Sequence, residues 1–341
     1  MQSDRGLVIG KFAPLHRGHQ LVLDTAVRET RELTVLVYSV PDFPPMPSAM
    51  RAGWVRRLYP DAVVLVPDDP PPNDAPDQVH QDYVADFLRA SGVEVDVVFT
   101  SEAYGDDLAQ TLNSPGVPVR HRLVDSTRSA FPISGTEIRQ DVHCHREWLD
   151  RCVYADFVEM VVLLGAESTG KSSLTVALAE EFGTTFVPEV GRDVWQEKHG
   201  ELTLDDYVDI ATRHRGLEDA ALLDANRYVF VDTNALTTML LCYAYEGRGL
   251  PELTDLARSA EHRYAHTFLC SDDIPFEQDG WRDDEMWRTR AQGLVRFDLA
   301  SRGITYTEIG GSITERVQLV RSALADPSSS RDVSRESAEA Q

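Results

Sequence analysis

Short apolar runs recur along the chain, separated by longer stretches whose apolar positions fall three or four residues apart. The segments Gly6–Gly10, Leu33–Ser39, Ala62–Val66, Val95–Thr100 and Val117–Val124 are of strand length and rich in valine, leucine and isoleucine, which predicts buried strands. Helices are predicted to begin near Gly18, Ala49, Val79, Gly105 and Ser134. The proline-rich stretch Pro67–Pro76 can continue neither a helix nor a central strand and is predicted to be a surface loop. A helical connector over Asp141–Tyr154 leads to a second series of strands, Glu159–Leu164, Tyr228–Asp232, His266–Cys270 and Thr305–Ile309. Strands alternating with amphipathic helices predict an α/β fold with parallel sheets covered on both faces.

A chain of 341 residues exceeds the usual size of one hydrophobic core, so two domains are expected. The pattern places them at residues 1–155 and 156–326, with 327–341 as a disordered tail of serine, arginine and acidic residues. No apolar run is long enough to cross a bilayer. The few residues before the first strand leave no room for a signal peptide, so a cytoplasmic protein is expected. Cys144, Cys152, Cys242 and Cys270 form no C-x-x-C pair and read as free thiols. His143 and His145 flank Cys144, an arrangement better explained by a surface segment than by a metal site.

A formal net charge of -23 repels nucleic acid and anionic membranes, so neither is an expected partner. Phosphorylated ligands must then be met by local positive charge. Lysine occurs only at Lys11, Lys171 and Lys198, and two of these three lie inside phosphate-binding strings.

The first string, Gly10-Lys11-Phe12-Ala13-Pro14-Leu15-His16-Arg17-Gly18-His19, follows the first strand and opens the first helix. Backbone N–H groups and the helix dipole favour an anion there. His16 and His19 are spaced to face one polyphosphate together, and Gly18 allows close backbone approach. The chemistry that fits is attack of a substrate phosphate on the α-phosphorus of ATP, carried by positioning and charge neutralisation. The string resembles the G-x-F-x-P-x-H-x-G-H signature of the nucleotidyltransferases, which implies a Rossmann-like domain with Gly10, Lys11, Phe12, Gly18 and the two histidines at the ATP site. Ile133-Ser134-Gly135-Thr136-Glu137-Ile138-Arg139 resembles the I-S-G-T-x-I-R motif of nicotinamide-nucleotide adenylyltransferases. That resemblance implies ATP-phosphate contacts from Ser134, Gly135, Thr136 and Arg139, while Ser134 and Glu137 also fit a capping box. Ser101-Glu102-Ala103-Tyr104-Gly105 resembles a segment beside the nucleotide in the same domains, implying substrate contacts from Glu102 and Tyr104. Arg51 and Trp54 share a helix face, and the indole is a candidate to stack on a nicotinamide ring as readily as to fill the core.

The second string, Gly165-Ala166-Glu167-Ser168-Thr169-Gly170-Lys171-Ser172, satisfies G-x-x-x-x-G-K-[ST] between an apolar strand and a helix. Amides from Gly165 to Ser173 are expected to cradle ATP phosphates, with Lys171 on the β and γ oxygens and Ser172 on Mg²⁺. Asp232 ends an apolar strand and is a candidate metal ligand or base. Pro188-Glu189-Val190-Gly191-Arg192 and Asp279-Gly280-Trp281-Arg282 resemble segments of ribosylnicotinamide kinases. They imply Glu189 as a base or ribose contact, Arg192 and Asp279 at the substrate, and Arg282 as a lid arginine.

The order of these motifs, from about Gly6 to about Ala325, resembles the NadR-like bifunctional family: a Rossmann-like adenylyltransferase domain followed by a P-loop kinase domain. The resemblance implies ATP and Mg²⁺ as cofactors and nicotinamide riboside, nicotinamide mononucleotide (NMN) and NAD as ligands. It leaves room for a homo-oligomer. Enterobacterial members carry a DNA-binding segment ahead of the first domain, and the five residues before the first strand give no expectation of one here. Two other readings stay open: a phosphopantetheine adenylyltransferase fused to dephospho-coenzyme A kinase, and a nucleotide sensor with little turnover.

Overall fold

The computed structural model describes residues 3–113, 118–275 and 285–325. The chain divides into two compact units, with the boundary between Tyr154 and Ala155. Both are α/β. In the first unit β1 (Ser3–Gly10), β2 (Thr30–Val37), β3 (Val63–Leu65), β4 (Val97–Thr100) and β5 (Arg120–Leu123) alternate with α1 (Arg17–Glu29), α2 (Ser48–Leu58), α3 (Asp77–Ala90), α4 (Gly105–Leu112) and α5 (Gly135–Gln140); α6 (Arg151–Tyr154) ends it. The strands lie in the order β3-β2-β1-β4-β5, and every pairing is parallel. The chain therefore reverses direction across the sheet at β1, leaving a crevice beyond the carboxyl ends of β1 and β4. Leu7, Leu36, Val98, Leu88 and Leu108 form a core on one face, and α1 buries Val22, Leu23 and Ala26.

The second unit carries β6 (Glu159–Leu164), β7 (Phe186–Val187), β8 (Tyr228–Asp232), β9 (His266–Cys270) and β10 (Thr307–Ile309). Its helices are α7 (Lys171–Phe182), α8 (Gly191–Glu197), α9 (Leu204–Asp224), α10 (Ala235–Glu246), α11 (Pro251–Ala260), α12 (Glu285–Ser301) and α13 (Ile313–Ala325). The order β10-β9-β6-β8-β7, again parallel throughout, puts β6 at the centre. Its side chains from Met160 to Leu164 are buried, as expected of a strand covered on both faces. Among the described residues no helix is long and apolar enough to cross a membrane.

The helical connector expected over residues 141–154 is not continuous. The Asp141 carboxylate accepts the backbone N–H groups of His143 and Cys144, both at 3.0 Å. This local turn competes with a helix for the same donors. The chain then passes through a 3₁₀ turn, Arg146–Trp148, into the single helical turn α6. The Asp150 carboxylate accepts from Cys152 N at 3.0 Å.

Arg51 and Trp54 share a face of α2, but that face looks inward, and both side chains are fully buried. The Arg51 guanidinium donates to the carbonyls of Met46 at 2.9 Å, Tyr38 at 2.9 Å and Ser39 at 3.3 Å, and to that of Lys11. It staples the β2–α2 loop to the segment after β1. Neither residue offers a surface to a substrate, so their expected role as substrate contacts is corrected to a structural one. Trp54→Ala would leave a large void and is expected to cost about 3–5 kcal/mol, read as a lower urea midpoint for the unfolding of the first unit.

Candidate functional site

In the first unit the site is built where β1 gives way to α1. A Cβ on Gly10 would lie 2.8 Å from the Phe12 ring, so the glycine lets that ring fold back across the strand end. Phe12 itself is buried and has a left-handed backbone, φ 48°. Its ring therefore serves the core. His16 is the N-cap of α1: its Nδ1 accepts Gly18 N–H at 3.1 Å, while His19 Nδ1 accepts His16 N–H at 3.4 Å. This is a capping box made of two imidazoles. Their rings stack with centroids 3.8 Å apart and 29° between planes. With each Nδ1 acting as acceptor, the hydrogen-bond network assigns the proton to each Nε2.

Both histidines are held neutral. Burial, with the nearby Arg128 guanidinium second, pushes His16 down to about 4. Burial and then the adjoining His16 ring push His19 well below the usual imidazole range. Positive charge comes instead from Lys11, Arg128 and Arg139. Burial lowers the Lys11 ammonium, and repulsion from Arg139 and Arg51 adds to it, so these cations converge on one place. Lys11 Nζ donates to Asn73 Oδ1 at 3.0 Å, and Arg128 donates to Glu102 Oε1 at 3.0 Å.

The start of α5 packs on the same loop. Arg139 donates to the Ala13 carbonyl and, at 2.9 Å, to Thr136 Oγ1. Its guanidinium lies 4.8 Å from the centre of the Phe43 ring, with Arg51 5.4 Å from that centre. A Cβ on Gly135 would lie 2.9 Å from the Ala13 carbonyl oxygen. Ser134 and Glu137 form a reciprocal capping box, with Ser134 N to Glu137 Oε2 at 2.9 Å and Glu137 N to Ser134 Oγ at 3.2 Å. The structure thus gathers Lys11, His16, His19, Gly135 and Arg139 at one strand end. Tyr104 stands at the start of α4, half-exposed, two residues from Glu102.

In the second unit β6 ends at Leu164 and the loop from Gly165 to Gly170 leads into α7. A Cβ on Gly165, where φ is 140°, would lie 2.9 Å from the Cys270 carbonyl oxygen; this position demands glycine. The loop is braced from behind. Gln292 of α12, fully buried, accepts Ala166 N–H at 2.8 Å and donates to Cys270 O at 2.9 Å. Arg316 of α13, also buried, donates to Thr169 O at 2.6 Å and to Gly311 O at 2.9 Å, and pairs with Asp273. Lys171 Nζ donates to Ala166 O at 2.8 Å. Asp232, 1 % exposed at the end of β8, has no hydrogen-bond partner on either carboxylate oxygen. Burial raises this carboxyl, the Lys171 ammonium pulls against the rise, and Glu189 adds to it.

The P-loop opens on a cavity of about 690 Å³, whose lining includes Lys171, Glu189, Arg192, Trp195, Tyr245 and Trp287. Glu189 and Arg192 lie 3.6 Å apart, and the rings of Tyr245 and Trp287 have centroids 5.2 Å apart. The volume is that of a small-molecule site, with a phosphate cradle at one side and aromatic faces along the wall. Among the described residues no group of three or more histidine, cysteine or carboxylate side chains is arranged to hold a metal by itself.

Two family descriptions match the chain, Cytidylyltransferase-like over residues 7–141 and AAA domain over residues 160–316. The Escherichia coli K12 trifunctional NAD biosynthesis/regulator protein NadR is 31% identical over 330 residues, covering 89% of this chain and 78% of its own length. The chain belongs to the NadR family. The Salmonella typhimurium NadR protein is 28% identical, covering 95% of this chain and 84% of its own. Two solved NadR structures share the fold, both with a TM-score of 0.69. One, a complex with NR, is 22% identical and covers 91% of this chain and 89% of its own; the other, a complex with NAD and AMP-PNP, is 20% identical and covers 94% and 96%.

Several residues at these sites were not read from the NadR-like motifs. Arg128 lies outside any motif. Gln292 and Arg316 are polar residues on the buried sides of α12 and α13, a signal that a periodicity count could have raised. Trp195, Tyr245 and Trp287 come from three separate helices, and nothing local joins them. Asp279 and Arg282 lie outside the described residues, as does the segment 327–341.

The neutral histidines carry a pH signature. His16 is protonated in the unfolded chain below about 6.5 but in the folded chain only near 4, so its contribution to stability is complete above pH 6.5 and declines as the pH falls toward 4. His16→Asn keeps a capping side chain and removes this titration. Between pH 6.5 and 4 the variant should show a shallower loss of stability in urea titrations, by up to about 1.4 kcal/mol per pH unit.

Proposed function

We propose that this NadR-family chain is a bifunctional enzyme of NAD biosynthesis: the second unit phosphorylates nicotinamide riboside with ATP, and the first joins the resulting NMN to a second ATP. The observation that carries the proposal is the presence, in one chain, of two phosphate cradles at parallel strand ends, one of them opening on an aromatic-walled cavity.

In the first unit a phosphate oxygen of NMN attacks the α-phosphorus of ATP, the new P–O–P link forms NAD, and pyrophosphate leaves. The Nε2–H groups of His16 and His19 donate to phosphate oxygens without adding charge. Lys11 and Arg139 neutralise the polyphosphate, the arginine by its planar fork, and the start of α1, where Gly18 lets the backbone approach closely, completes the cradle. Ser134, Gly135 and Thr136 bring the start of α5 against the same phosphates. Glu102 and Tyr104 border the acceptor nucleotide.

In the second unit the 5′-hydroxyl oxygen of the riboside attacks the γ-phosphorus of ATP and ADP leaves. Asp232 takes the hydroxyl proton, and Glu189 and Arg192 hold the ribose. Trp195, Tyr245 and Trp287 offer π faces to the nicotinamide ring. Lys171 swings from the Ala166 carbonyl to the β and γ oxygens, and amides of the Gly165–Ser173 loop other than that of Ala166, which Gln292 holds, grip the β-phosphate. The Ser172 hydroxyl, with the Asp232 carboxylate beside it, is a hard-oxygen set that fits the hydrated shell of Mg²⁺. Bound there with the nucleotide, the ion would neutralise β and γ phosphate charge. Arg282 and Asp279 keep the roles the resemblance gives them, as a lid arginine and a substrate contact.

The test uses the purified chain with Mg-ATP and either nicotinamide riboside or NMN. Lys171→Ala should lower ADP release with the riboside by about 10²-fold or more while pyrophosphate release with NMN stays within about twofold. His19→Ala should do the reverse. A chain that binds ATP but releases neither ADP nor pyrophosphate would be a sensor, and the proposal would fall.

A further inference from the structure

The strand β8 runs beside β7 until β7 ends at Val187, which pairs with Val231. Phe230 turns its backbone toward β7, its N–H meeting the Thr185 carbonyl at 3.5 Å. Asp232, two residues further, turns its carbonyl to the same side, where β7 no longer reaches. His214 Nε2 lies 3.1 Å from that carbonyl oxygen. The next residue, Thr233, has φ 67°, a left-handed backbone that a β-branched residue adopts only when its surroundings impose it. On the other side of the strand, Thr233 N–H is fixed to Leu163 O at 3.1 Å. The peptide carrying Asp232 is thus held from both flanks, by β6 through its neighbour and by His214 through its carbonyl.

His214 is itself fixed. It lies on the buried stripe of α9 with Tyr207, Ile210, Ala211 and Glu218. Its Nδ1 is 3.3 Å from Glu218 Oε1. Glu218, 1 % exposed, also accepts Arg263 Nε at 2.6 Å and the Tyr264 hydroxyl, and Arg215 Nε lies 3.4 Å from it. Although His214 borders the cavity, both of its ring nitrogens are engaged within the protein. A substrate contact would have to break one of these bonds.

Resting on the kinase reading above, we infer that His214 is a positioning residue for phosphoryl transfer: anchored by Glu218, it holds the Asp232 peptide where β7 has ended and so fixes the aim of the Asp232 carboxylate. Loss of this bond would let the strained turn at Thr233 relax and move the carboxylate away from the 5′-hydroxyl. The turnover number would suffer, and substrate binding would not.

Two substitutions separate the ring nitrogens. The amide nitrogen of His214→Gln falls where Nε2 was, facing Asp232 O; that of His214→Asn falls where Nδ1 was, facing Glu218. With the full chain, Mg-ATP and nicotinamide riboside, the glutamine variant should keep kcat within about threefold. The asparagine variant should lose about tenfold or more in kcat, with KM within about twofold. Pyrophosphate release from ATP plus NMN should be unchanged in both, showing that the first unit is intact, and a far-UV and near-UV circular dichroism melt matching the wild type shows that the second unit is folded. Should the asparagine variant fail to fold in its second unit, the glutamine variant decides alone: near-normal kcat supports the inference, and a collapse overturns it. Equal loss in both variants, a loss confined to KM, or no loss in either overturns the positioning role while leaving the kinase reading intact. A wild-type chain that releases no ADP with the riboside overturns both.

Discussion

A parallel strand that stops inside a sheet and hands over to a helix leaves unpaired N–H groups pointing at the space beyond it, and the architecture of both units follows from placing that handover at the strand where the sheet changes direction. In the first unit the strand is β1, in the second β6, and each is flanked on both sides by other strands. The handover is therefore rigid. The helix dipole supplies part of the attraction for an anion, and the rest comes from side chains whose own environment is settled by the fold.

The two units meet the resulting electrostatic demand differently. A chain with a net charge of -23 must concentrate cations locally if it is to hold a triphosphate. Around β1 it gathers Lys11, Arg128 and Arg139 and keeps His16 and His19 uncharged by burial, so that the imidazoles give direction rather than charge. Around β6 the loop supplies Lys171 and the cavity wall Arg192, and the nearby buried Arg316 is spent on carbonyls and on Asp273. There the backbone amides carry more of the work.

The contiguous motifs were readable because phosphate cradles are built from consecutive residues: the Gly10–His19 string and the Gly165–Ser172 string each contain strand end, loop and helix start. The α/β class and the position of most strands came from short apolar runs of a kind that only doubly covered sheets bury. Arg51 and Trp54 show the limit of such reading, because a shared helix face does not say which way that face looks, and theirs looks into the core. The connector shows another, since a single aspartate at position 141 captured two amides that a helix needed. The cavity wall was illegible for a topological reason: Trp195, Tyr245 and Trp287 meet only after three helices have packed.

The brace on the P-loop has a bearing on how the chain is made. Ala166 is tied to Gln292 and Thr169 to Arg316, so the second cradle closes only after nearly the whole polypeptide has left the ribosome. The residues described at the first cradle belong to the early half, with Leu149 bridging back to His16. During synthesis the nascent chain can complete its dinucleotide-forming end while the other end still awaits its last helix, and a truncated product would retain one activity and lack the other.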